Sequence, residues 1–256
     1  MEQTLAEKLK SLADKYEKAD FITQDPSRFL WWYNDKPNAE TAAFAAAMLS
    51  FGSRKQFIPK IETILKIADA SGGINKWLEI GAFRKDFIPC GTAECCKFYR
   101  FYSYQDMIEL FSALEQILHS CGSLEECAKT RYKQCPGTNI IDILSDIFAG
   151  CRIVPHGKAS AKKRLCMFAR WMVRTNSPVD RGFWQWYPKD KLLIPLDVHV
   201  LDESIKLGLI PPEAKATRKT AELLTEKLKQ IWSADPVKGD FALFGYGVDK
   251  KTNFES

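Results

Sequence analysis

No stretch of this chain approaches the roughly 20 uninterrupted apolar residues that a membrane-spanning helix needs. Strict alternation of Val, Ile and Thr with polar residues is missing as well. The first absence predicts a globular chain that folds in water. The second removes the main sequence signal for half-buried strands and leaves helical periodicity to dominate. There is no internal repeat and no low-complexity tract. Histidine is scarce: His119, His156 and His199 lie far apart, so no two stand at the spacing of a helical metal pair. Eight cysteines are present, but not as two C-x-x-C pairs; Cys90, Cys95 and Cys96 come nearest to a ligand cluster. The simpler reading is reduced thiols in a chain large enough to need no disulfide framework. Structural thiols are therefore expected in preference to a metal site. The opening Met1-Glu2-Gln3-Thr4 is acidic rather than basic and then apolar, which predicts no secretory leader and a cytoplasmic protein.

The most telling absence is local. From Ile147 to Val179 there is no Asp or Glu at all, while seven Lys or Arg residues occur, so this segment carries +7 in a chain whose total is +5. Within it runs Lys162-Lys163-Arg164-Leu165-Cys166-Met167-Phe168-Ala169-Arg170-Trp171-Met172-Val173-Arg174. Leu165, Phe168, Ala169 and Met172 follow the i, i+3, i+4, i+7 pattern of a buried stripe. Lys163, Met167, Arg170 and Arg174 fall on another face, predicting a helix from about Ser160 that packs on one side and is cationic on the other. Ser160 is the candidate N-cap. The turn His156-Gly157-Lys158 before it would expose the first free amides of the helix, an arrangement able to hold a phosphate.

Elsewhere the periodicity predicts helices near 2–18, 39–51, 55–70, 104–120, 123–130, 138–149, 197–207, 217–232 and 236–246, with the basic one at 160–175. Asp25-Pro26-Ser27, Ser71-Gly72-Gly73, Cys135-Pro136-Gly137, Ser177-Pro178 and Ile210-Pro211-Pro212 separate them. The aromatic-rich part from Gly81 to Tyr102 reads as free of helix. At 256 residues the chain is long enough for one large all-α domain or two small ones sharing a core, and nothing forces a second domain.

Two residues carry chemistry. A lysine is a nucleophile only as the neutral amine, a state favoured by neighbouring cations, and Lys163 stands between Lys162 and Arg164. Asp197, in Pro195-Leu196-Asp197-Val198-His199-Val200, offers a carboxylate at a predicted helix start. An amine and a carboxylate facing a phosphate-binding turn could attack the anomeric carbon of a nucleoside while the acid steadies the developing oxocarbenium charge. Each residue has a plainer reading. A basic helix face is commonly solvated surface, Asp197 can be an N-cap, Trp171, Trp184 and Trp186 can be core aromatics, and His199 a hydrogen-bonded structural residue.

These residues resemble the helix-hairpin-helix DNA glycosylase superfamily, and particularly its DUF2400 branch. The resemblance covers most of the chain. It rests on the early Glu40-Thr41-Ala42-Ala43-Phe44 to Gly52 helix, the Lys163 to Arg174 segment, Val179-Asp180-Arg181-Gly182-Phe183-Trp184, the Asp197 motif and Asp240-Phe241-Ala242-Leu243-Phe244-Gly245-Tyr246-Gly247. It implies a single domain over residues 1–256 built of two helical lobes, the second near 104–196, with a DNA cleft between them. In that superfamily a lysine in or just after the hairpin attacks the sugar and a downstream aspartate assists. Asp197 matches that aspartate. Lys163 is the best match for the lysine, in a helix similar to that of the archaeal 8-oxoguanine glycosylases, and Lys162 is the alternative. The hairpin departs from the usual Leu-Pro-Gly-Val-Gly, reading Val154-Pro155-His156-Gly157-Lys158-Ala159-Ser160 with a single glycine. No cysteine follows Cys166, so the four-cysteine iron–sulfur loop of some members is not expected.

The resemblance implies a monomeric base-excision glycosylase and β-lyase acting at the nucleoid on duplex DNA with a damaged purine, 8-oxoguanine foremost. It needs no metal, no organic cofactor and no membrane. Lys158, Ser160, Lys162, Arg164, Arg170 and Arg174 are its candidate phosphate contacts, and Trp171, Trp184 and His199 its candidate base pocket. Two other classes compete: a nucleic-acid-binding module without catalysis, and a helical protein that holds a nucleoside or a protein partner.

Overall fold

The computed structural model describes residues 4–87 and 96–252, with side chains up to residue 247. Cys90, Cys95 and the first three residues, on which expectations were placed, lie outside that range. The described chain is all-α apart from one small hairpin. In order it forms α1 (Leu5–Tyr16), α2 (Lys36–Leu49), α3 (Arg54–Asp69), α4 (Ile74–Glu79), α5 (Phe83–Asp86), the strands β1 (Lys97–Tyr99) and β2 (Tyr102–Ser103), α6 (Tyr104–Cys121), α7 (Leu124–Gln134), α8 (Ile140–Ile147), α9 (Lys163–Val173), α10 (Val198–Lys206), α11 (Arg218–Lys229) and α12 (Gly239–Thr252). Short 3-10 turns at Ala19–Gln24, Pro26–Trp31, Lys189–Lys191 and Pro236–Lys238 complete the set.

Local chemistry explains where the helices begin. Thr4 and Glu7 form a capping box on α1, Ser103 and Asp106 another on α6, and Asn139 caps α8 through its side chain. Ten helices begin within a few residues of their predicted places. The basic one is shorter at both ends, beginning at Lys163 rather than Ser160. Lys162 occupies the N-cap in a left-handed conformation (φ +47°), where the Ser160 hydroxyl accepts its N–H at 3.2 Å. Ser160 itself forms an isolated antiparallel bridge with Thr217. The stretch from Gly81 to Tyr102 is not free of helix, since α5 lies in it, and β1 pairs with β2 at its end.

The chain divides into two compact units, Met1–Thr23 with His156–Ser256 and Gln24–Pro155. In the second, α2 is the central helix: every residue from Ala39 to Leu49 is buried, and its alanines let neighbouring helices approach closely. Phe44 stacks on Phe148 with centroids 4.4 Å apart, while Trp77, Phe83 and Phe111 meet edge to face. In the first, Leu9 and Ala13 of α1, Val200 of α10, Leu224 and Leu228 of α11, and Ala242 and Leu243 of α12 form one apolar cluster. Each fully buried Leu there contributes about 1.5–3 kcal/mol. Helix α12 packs on both α1 and α10. Among the described residues, no helix is long and apolar enough to cross a membrane.

Candidate functional site: a lysine–aspartate pair over a buried ion-pair chain

Helix α9 presents Lys163 as its first residue, and α10 is capped by Asp197. Although 34 positions separate them in the chain, the Lys163 ammonium Nζ lies 3.0 Å from Asp197 Oδ2. The other carboxylate oxygen, Oδ1, accepts the Val200 N–H at 2.9 Å. The capping and functional readings of Asp197 are therefore not rivals: one oxygen holds the helix start and the other holds the lysine. Capping also pins the carboxylate rotamer, so the aspartate meets the amine in one orientation. The Lys163 side chain is 35% exposed and that of Asp197 12%. A reactant can thus reach the amine while the acid stays largely sheltered.

Deeper in the same unit, α9 departs from the predicted two-faced helix. From Leu165 to Val173 every residue is buried, Arg170 included, and Arg174 just beyond is 2% exposed. The two arginines do not form an outward cationic face. Arg170 Nε lies 3.3 Å from Asp180 Oδ1, and its Nη1 bonds Asp240. Arg174 Nη1 donates to Asp180 Oδ2 at 2.6 Å, its Nε and Nη2 grip Asp235, and Nη2 stands 2.8 Å from Glu17. Both guanidinium planes lie near the Phe241 ring, at 4.5 and 5.2 Å from its centre. The physical reason is desolvation. A buried guanidinium is tolerated only with carboxylates around it, and these come from Glu17 just past α1, from the 180 and 235 loops and from α12. The carboxylates around Arg174 hold it charged, its pKa raised above the ordinary guanidinium value against the opposing effect of burial.

Asp240 links this chain to the lysine–aspartate pair. Burial pushes its carboxyl up to about 6; Arg170 opposes the shift, the Asp197 charge adds to it and the Lys163 ammonium opposes it. Asp240, buried and bonded to Arg170, is thus coupled electrostatically to both members of the pair.

The remaining predicted residues fall into three groups. Lys158 is exposed on the turn after His156, where Gly157 adopts φ +91°; Ser160, Lys163 and Arg164 are partly exposed. Lys162, the alternative nucleophile, is 6% exposed at the α9 N-cap. Trp171 and Trp184 are fully buried, Trp184 meeting Phe168 edge-on at 5.4 Å. They stand in the core of their unit, not on a wall open to a base. His199, on the first turn of α10, is partly exposed and packs edge-on against Phe244. Among the described residues, no three His, Cys, Asp or Glu side chains gather as a metal site.

Sequence reasoning missed the carboxylates that neutralise Arg170 and Arg174. One signal was available: the acid-free window ends at Val179, and the next residue, Asp180, serves both arginines. Asp235, Asp240 and Glu17 lie 55 or more positions from either Asp180 or the start of the window and carry no such mark.

Neither a curated protein nor a solved structure matches this chain. A family model does, across residues 25–249, which include α9, Asp197 and Asp240. The chain thus belongs to the family described as "Protein of unknown function (DUF2400)".

Proposed function

We propose that this protein is a DNA base-excision glycosylase with β-lyase activity, working through Lys163 on an oxidised purine, with 8-oxoguanine the leading substrate. One observation carries the reading: a partly exposed lysine amine 3.0 Å from a sheltered, helix-capping carboxylate. A lysine attacks carbon only after losing a proton, and Asp197 Oδ2 is placed to receive it. Nζ then adds to C1′ of the sugar as the C1′–N bond to the base breaks. Asp197 hands that proton on to the departing base and, as a carboxylate again, balances the positive charge that develops on the sugar. Opening of the sugar ring gives an imine between Nζ and C1′. Loss of a C2′ proton from that imine expels the 3′ phosphate. The base must leave the helical stack for the amine to reach C1′. Lys158, Ser160 and Arg164, around the exposed turn that leads to α9, are the proposed phosphate contacts. Arg170 and Arg174 are assigned instead to the buried scaffold of the same unit.

Borohydride trapping on duplexes carrying 8-oxoguanine, uracil or an abasic site tests this directly. Wild type and Lys162→Ala should form a covalent adduct, and Lys163→Ala none. An adduct that survives in Lys163→Ala but disappears in Lys162→Ala would transfer the role to Lys162. Binding without any adduct on any duplex would leave a nucleic-acid-binding module in place of an enzyme.

A further inference from the structure

The β1–β2 hairpin of the Gln24–Pro155 unit has a firm base and an exposed tip. Phe98, Tyr99 and Tyr102 are buried, and the Tyr99 hydroxyl donates to the Phe51 carbonyl at 2.6 Å. Pairing of Tyr99 with Tyr102 leaves Arg100 and Phe101 as the two turn residues. Arg100 takes φ +52°, a conformation for which glycine or asparagine is the usual choice in such turns. Holding an arginine there costs on the order of 1 kcal/mol or more, which singles out the tip as a place where the side chain matters. Its guanidinium settles over Gly52 and 5.8 Å from the Phe51 ring centre.

Next to it, Phe101 is 55% exposed, held at its edge by Phe51 and Tyr102 with centroids at 5.1 and 4.6 Å. An isolated exposed phenylalanine is ordinary on a protein surface. This one lies in residues 96–105, which together with residues 50–60 contain five Lys or Arg and no Asp or Glu, Arg54 among them being paired with Asp25 at 3.2 Å. One of the five, Lys60, lies 4.8 Å from the Phe98 ring centre. A rigid exposed ring among unlike-charged neighbours would suit a protein partner. An exposed ring flanked by Lys97 and Arg100, in segments with an excess of cations, matches a polyanion that carries flat apolar groups.

We infer that the hairpin tip is a stacking contact for an unpaired DNA base, with Phe101 covering its face and Arg100 and Lys97 taking the adjoining phosphates. This rests on the DNA-binding part of the function proposed above. The test is fluorescence anisotropy with a single strand of about 16 nucleotides, the upper end of common site sizes, and with an abasic strand of equal length. Wild type should prefer the strand that carries bases. Phe101→Ala should weaken binding to it by roughly 5- to 140-fold, the range for loss of one base–aromatic stack, without altering binding to the abasic strand. Phe101→Trp should keep the preference, which separates stacking from damage to the hairpin. A Phe101→Ala protein that still prefers bases, or a wild type that binds both strands alike or neither, overturns the inference. Borohydride trapping on the same proteins keeps the two readings apart. Adducts with an unaltered Phe101→Ala preference would reject the hairpin contact alone, and a Phe101-dependent preference without adducts would reject excision alone.

Discussion

Asp197 performs two jobs with two oxygens, and asparagine can do only one of them. A carboxamide in its place would still accept the Val200 N–H, so Asp197→Asn should leave thermal stability within about 0.5 kcal/mol of wild type. In the proposed reaction it could neither take a proton from Lys163 nor, after passing that proton on, balance positive charge at C1′. Adduct formation should slow by about 100- to 10,000-fold, measured as single-turnover trapping rates. A variant equally slow but also unfolded would point to the cap instead. The buried arginines behave differently. Arg174→Ala strands Asp180, Asp235 and Glu17 without their shared cation and should cost about 3–5 kcal/mol, read as a large drop in denaturation midpoint. Asp240 adds a pH dependence. Its carboxyl is raised from an ordinary 3.8 to about 6, so between those values the folded chain holds a proton that the unfolded chain has lost. Stability from this group is complete below about pH 4, declines as pH rises through 6 and is flat above, a change on the order of 3 kcal/mol. Asp240→Asn should remove that decline from a series of denaturation curves between pH 4 and 7.

At the scale of elements, the legible helices were those with a strong 3.6-residue period and an ordinary cap. Helices α1, α6 and α11 show this, each pairing an apolar stripe with a Ser or Thr N-cap. What escaped reading was short or stabilised from outside. Helices α4 and α5 span 6 and 4 residues, too few for a period to emerge, and β1 and β2 are shorter still. The start of α9 was misplaced because Ser160 looks like a cap, whereas its backbone is committed to Thr217, a residue 57 positions away. Contact between α1 and α12 has a sharper requirement. At Gly245 an added methyl group would lie 2.7 Å from Tyr16 Cβ and against the ring. Gly245→Ala should therefore destabilise by about 1–3 kcal/mol, and Tyr16→Ala should recover part of the loss in the double variant. Additive losses would show that the two positions are not in contact.

Across the whole molecule, charge was the feature most open to misreading. The +7 of residues 147–179 is real in the sequence. Two of those charges nevertheless stand inside a core, matched by carboxylates from other parts of the chain. Only cations that reach solvent can release counterions from DNA. Lys158→Ala and Arg164→Ala should each lower the slope of log affinity against log salt by about 0.9 if each neutralises one phosphate. Arg170→Lys should leave that slope unchanged. Equal effects at all three positions would place Arg170 on the binding surface.

Residue order alone sets the helical class, the succession of the main helices and the residue types from which a lysine–aspartate pair could form. Those properties depend on periodicity and capping, which act within a few residues. Only the folded chain brings Lys163 to Asp197, turns Arg170 and Arg174 inward and sets Asp240 against Arg170. Each of these depends on groups gathered from distant parts of the chain, where desolvation sets which charges must be matched and which can remain in water.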